Sequence, residues 1–145
     1  MAGVPTTCAC PDFAYTPADI YGAIAAKVVK DGALADNAAA TWADVNAALP
    51  AQELKLFIPG TKHGTREVFD TKVIIEGCKA TGAHDLFLAT AEGADDKEKA
   101  AAADKMCNTL RTDGVSTDVD GDYTETLSRL DANKTAIGVF GLSFY

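Results

Sequence analysis

The sequence predicts an α/β domain in which a small central sheet is flanked by helices. Strand-like runs stand at residues 54–58 and 137–141, with a shorter one at 116–119, all far apart along the chain. The intervals carry apolar residues at helical spacing, most of them opened by a capping residue. At 145 residues and 48% hydrophobic, the chain suits one domain that buries roughly two-thirds of its unfolded surface.

Thr16-Pro17-Ala18-Asp19 opens the first helix: Thr16 as N-cap, Pro17 in the first turn, an acid at the third position. Ile20, Tyr21, Ile24 and Val28 follow at helical spacing, which carries the helix to Lys30-Asp31-Gly32. The alanine-rich stretch 33–40 reads as loop. Thr41 caps a short helix from Trp42 to Leu49, stopped by Pro50. Pro59-Gly60 terminates the strand at 54–58. A second long helix is expected from Gly64 to about Cys78, with Val68, Phe69, Val73 and Ile75 inward, and a shorter one over 84–91. Asp95 and Glu98 form a capping box for a helix to Arg111. Asp113-Gly114 is a turn, and Asp122 with Glu125 caps a helix ending near Asn133. The strand at 137–141 closes the pattern, with no internal repeat and no low-complexity linker.

Thirteen basic against twenty-one acidic residues give a net charge of −8. Such a chain repels a phosphate backbone or an anionic membrane surface unless its few cations cluster tightly, so nucleic acid is not expected as a partner. No apolar window is long enough to span a membrane. The first residues lack a basic stretch followed by an apolar one and do not read as a secretory signal. Residues 1–13 read as a disordered or expression-derived lead-in, and 14–145 as one domain. Cys8 and Cys10 fall in that lead-in, where a C-x-C without partners makes a poor metal site. Cys78 and Cys107 lie in the body and are either paired or two buried thiols. Pairing would close a loop of about 30 residues, stabilise by about 3–4 kcal/mol and imply an oxidising compartment. A redox or metal protein using all four cysteines is a further reading.

The most informative stretch is Ile58-Pro59-Gly60-Thr61-Lys62-His63-Gly64-Thr65-Arg66-Glu67, between a strand and a helix. A helix start offers N–H groups and partial positive charge. Two glycines permit close backbone approach, Thr61 and Thr65 add hydroxyls, and Lys62, His63 and Arg66 add cations. These are the parts of an anion site. The same residues also make a capped helix start with solvated basic side chains. The order is not that of a P-loop. Asp118-Val119-Asp120-Gly121-Asp122 resembles a calcium loop, but Tyr123 stands where Gly is needed and Arg129 where Glu is needed. It reads as an acidic turn. His84 reads as a surface residue at a helix start. No nucleophile motif is present, and neither a catalytic residue, a cofactor nor a metal is implied.

Gly60-Thr61-Lys62-His63-Gly64-Thr65-Arg66-Glu67-Val68-Phe69 resembles the S-G-T-R-x-x-F signature of phosphate ABC transporter substrate-binding proteins. Thr16-Pro17-Ala18-Asp19-Ile20-Tyr21 and Thr41-Trp42-Ala43-Asp44-Val45-Asn46 resemble that family's leading helix and W-x-D-x-N segment. Asn133-Lys134-Thr135-Ala136-Ile137-Gly138-Val139-Phe140-Gly141 resembles its N-x-x-A-I-G-x-x-G return strand. The similarity runs from about Ala14 to Tyr145. It implies one lobe of a periplasmic-binding-protein-like fold, the central lobe of a two-lobed receptor whose first lobe is missing. The aromatic end after a strand agrees with an excerpt from a longer protein. It further implies non-enzymatic binding of inorganic phosphate or a similar oxyanion in the periplasm, with ABC permease subunits as partners of the whole protein. By position the ligand set is Thr61, Lys62, His63, Gly64, Thr65 and Arg66. His63 replaces the family's Ser, while Pro59 and Thr61 replace an Arg and an acceptor Asp, so the resemblance implies the anion class rather than the exact anion. A phosphatase-like or surface-adhesion protein on the same fold is the alternative.

Overall fold

The computed structural model describes residues 16–49, 51–119, 123–133 and 136–139. The lead-in with Cys8 and Cys10, the Asp122 cap and the aromatic end lie outside them.

Helix α1 (Pro17–Ile24) begins as its sequence dictates. The Thr16 side chain accepts from Asp19 N–H while the Asp19 carboxylate accepts from Thr16 N–H. It stops sooner than the apolar spacing suggests. Lys27–Lys30 (β1) and Ala33–Asp36 (β2) form an antiparallel hairpin instead of helix and loop. Asp31 and Gly32 take φ of 53° and 79°, the paired positive angles that match the twist of a tight hairpin. Val28 therefore belongs to a strand. The Asn37 side chain donates to the Gly22 and Ala25 carbonyls, pinning the hairpin to the end of α1.

Helix α2 (Trp42–Val45) is one turn, closed by the reciprocal Thr41–Asp44 box. Strand β3 (Leu56–Pro59) is buried at all four positions, as its unbroken apolar run requires. It leads into α3 (Gly64–Phe69), which continues through a π-helical segment (Asp70–Ile75) into α4 (Glu76–Thr81). Gly82, at φ 84°, ends that run and starts α5 (Ala83–Thr90). Helix α6 (Asp96–Cys107) has Asp95 as its cap. Glu98 reaches Ala94 N–H rather than the cap's own. It ends short of Arg111, whose guanidinium instead donates to the Ala23 and Ala39 carbonyls. Strand β4 (Ser116–Val119), α7 (Tyr123–Ala132) and β5 (Ile137–Gly138) complete the order.

The sheet is parallel, with β3 between β4 and β5. Leu56 and Ile58 join the core of Tyr21, Ile24, Trp42, Phe69, Ile74 and Cys78. Phe57 projects from the opposite face, and Arg129 of α7 lies 5.9 Å from its ring centre. The expected α/β class, a small sheet flanked by helices, is the observed one. Cys78 and Cys107 are bonded, tying α4 to α6.

Two expected positions are corrected. Val68 is 60% exposed, because the inward face of this run passes through Arg66, Phe69 and Ile74. His84 is buried, its Nε2 2.8 Å from Asp104 Oδ1 of α6; the α5–α6 packing covers a residue that local sequence places at the surface.

Candidate functional site

Parallel pairing sets the carboxyl ends of β3 and β4 side by side, with Ile58 opposite Asp118 and Pro59 opposite Val119. Open α/β sheets present their ligand sites along this edge. The loop that leaves β3 is tied down at once, since Gly60 N–H donates to the Val119 carbonyl at 3.0 Å. His63 N–H donates to Gly60 O at 3.0 Å, closing the turn Gly60-Thr61-Lys62-His63. His63 is then the N-cap of α3, and its side chain makes no capping bond. The positive dipole end of α3 therefore faces the loop that leaves β3.

Thr61, Lys62 and Gly64 are exposed, whereas His63 and Thr65 are half-buried. Of the six residues expected at an anion site, Thr61, Lys62 and His63 lie in this turn, and Gly64, Thr65 and Arg66 form the first three positions of α3. Gly64 is informative because the fold does not require it. Its φ is not positive, and a Cβ placed there would meet nothing within 4 Å.

Arg66 differs from the rest. It is only 8% exposed. Its Nε donates to Asp70 Oδ1 at 2.8 Å, and its Nη1 to both the Pro59 carbonyl and Asp118 Oδ1 at 2.9 Å. Burial alone would lower its pKa, but the bonds and charges of Asp70 and Asp118 outweigh that and hold it above the ordinary value. Two carboxylates therefore face the buried cation in the first turn of α3. Asp70 was legible as an i,i+4 partner. Asp118, 52 residues away, carried no signal beyond belonging to an acidic turn.

Among the described residues, no group of three or more His, Cys, Asp or Glu is placed to hold a metal. No helix among them is long and apolar enough to cross a membrane. A cavity of about 1000 Å³ lies between α1, the hairpin and α2, and none of the six loop residues lines it.

A parallel sheet of β4, β3 and β5 thus carries the 60–63 loop at its carboxyl edge. The PBP superfamily domain family matches residues 6–144, and the chain belongs to that family. It is also similar to the phosphate-binding protein PstS of Staphylococcus haemolyticus (strain JCSC1435), with 26% identity over 107 residues. That alignment covers 74% of this chain and 22% of the relative, so the chain spans about a fifth of that protein's length. No solved structure matches the chain.

Proposed function

We propose that this chain is a binding lobe for a small tetrahedral oxyanion, inorganic phosphate, held without chemical change. Gly64 carries the reading: a glycine whose added Cβ would meet nothing within 4 Å opens α3 directly after the β3 loop, where a ligand oxygen could approach the backbone closely. The similarity to a phosphate-binding protein supports the choice of anion. In this reading Gly64 and Thr65 donate to the oxyanion, while Thr61, Lys62 and His63 line its approach. Arg66 serves beneath them. A second lobe would supply the remaining contacts in the complete receptor, which would hand its ligand to an ABC permease. The buried Cys78–Cys107 bond supports an oxidising, extracytoplasmic setting.

Gly64→Ala tests this directly. Alanine favours helix by about 1 kcal/mol over glycine and meets no obstacle here, so stability should hold or rise slightly. Phosphate-induced shifts of the Gly64-region amide resonances should meanwhile disappear. Unchanged titration of the variant would refute the loop as the binding place. A wild-type response to sulfate equal to that for phosphate would remove the specific anion and leave the class.

A further inference from the structure

We infer that Arg66 and Asp118 form a positioning pair that sets the geometry of the 60–65 loop, Asp118 being as necessary to the site as any residue in the loop itself. This deepens the phosphate-binding reading and rests on it only for its ligand readout. Arg66 is the third residue of α3, directly after Gly64 and Thr65. One nitrogen, Nη1, holds the last carbonyl of β3 and a carboxylate of β4 together, while Nε holds Asp70 at the other end of α3. The guanidinium thus joins three elements: the strand that enters the loop, the neighbouring strand and the helix that leaves it. Only a planar fork with several fixed donors can do this; an ammonium of the same charge cannot.

The loop is consequently fastened on both sides. Gly60 hangs from Val119, and Arg66 draws the first turn of α3 onto Pro59 and Asp118. Donors fixed before the ligand arrives lose no freedom on binding, which is how preorganisation raises affinity. Net charge at the clasp argues the same way. One cation faces two carboxylates, so the cluster offers an anion no Coulomb attraction and acts through geometry.

The experiment uses the full chain and inorganic phosphate, with Asp118→Asn, Asp118→Glu and Arg66→Lys. Asp118→Asn should shift the Gly64 and Thr65 amide resonances in ligand-free protein. It should also weaken phosphate binding by about fivefold, the effect of exchanging an ionised acceptor for the weaker neutral amide oxygen of asparagine. Removing a nearby negative charge would strengthen binding if simple electrostatics ruled. Asp118→Glu, which keeps the carboxylate, should retain most of the affinity; Arg66→Lys, which keeps only the charge, should not. The Arg66→Lys/Asp118→Asn pair should bind no worse than Arg66→Lys alone. Unmoved amides in Asp118→Asn, or phosphate binding as tight as wild type, would overturn the inference. If wild type ignores phosphate, the functional reading fails, yet the ligand-free shifts still decide the pairing. Should Arg66→Lys not fold, Asp118→Asn carries the test, since Asp118 is half-exposed.

Discussion

At Gly77 the backbone of α4 rests against α1. A Cβ there would stand 2.2 Å from the Pro17 carbonyl oxygen and 2.7 Å from Tyr21 Cβ. Neither neighbour is a flexible side-chain end, so Gly77→Ala must push the helices apart. A loss of about 2–3 kcal/mol is expected in urea unfolding, at the upper end for overpacking. Tyr21, in the same contact, gives a pH signature. Burial pushes its phenol up to about 12 from an ordinary value of 10.0, and its hydroxyl donates to the Lys27 carbonyl. The folded state therefore holds this proton more tightly than the unfolded chain. The resulting stability is complete below about pH 10 and is lost as the pH rises towards 12, about 2–3 kcal/mol in all. Comparing urea midpoints of wild type and Tyr21→Phe across that window checks it, because the variant should lack this component of the fall. Thr16 and Thr41 were readable as caps from local spacing, whereas the expected Asp95–Glu98 box forms only in half, Glu98 turning to Ala94 N–H. His84 and Arg66 were not readable in this way. Their partners, Asp104 and Asp118, sit on other elements, and nothing local announces a carboxylate that only tertiary packing delivers.

Elements repeat that lesson with one instructive failure. Ile24 and Val28 are four apart, a spacing that suits a helix. The same segment holds Val28-Val29 and then Asp31-Gly32, a β-branched pair before a strong hairpin signal. The hairpin wins because Asn37 and Arg111 both claim carbonyls at the end of α1, Asn37 those of Gly22 and Ala25 and Arg111 that of Ala23. Strand β3 was legible in place from the apolar residues of 54–58, but it starts later, at Leu56, and takes in Pro59, which local sequence reads as its terminator. The Cys78–Cys107 bond joins elements that already pack through α5. Its two ends are 29 residues apart, so reduction should lower stability by about 3–4 kcal/mol through the regained entropy of the unfolded chain. Urea midpoints with and without a reductant measure this. A change below about 1 kcal/mol would mean that the packing alone holds α4 against α6.

For the whole molecule, the charge of −8 and a proposed anion site are compatible once distance is considered. Exposed carboxylates beyond about 8–10 Å are screened at physiological salt, whereas a helix start and a tethered loop act at contact range. Net charge excludes a polyanion without speaking to a small one. The sheet adds a constraint in time rather than space. Strand β3 is made early, yet both strands that flank it, β4 and β5, come from the final third of the chain. A ribosome delivers α1 and the hairpin long before the partners that complete the sheet, and non-local pairing of this kind is slow. Because the loop hangs from Val119 and Asp118, the proposed anion site should mature later than α1 and the hairpin. Pulsed hydrogen exchange during refolding should show Gly60 N–H gaining protection after the α1 amides; simultaneous protection would contradict that order. Until then β3 exposes two open edges, which makes the half-made lobe a natural client for a chaperone.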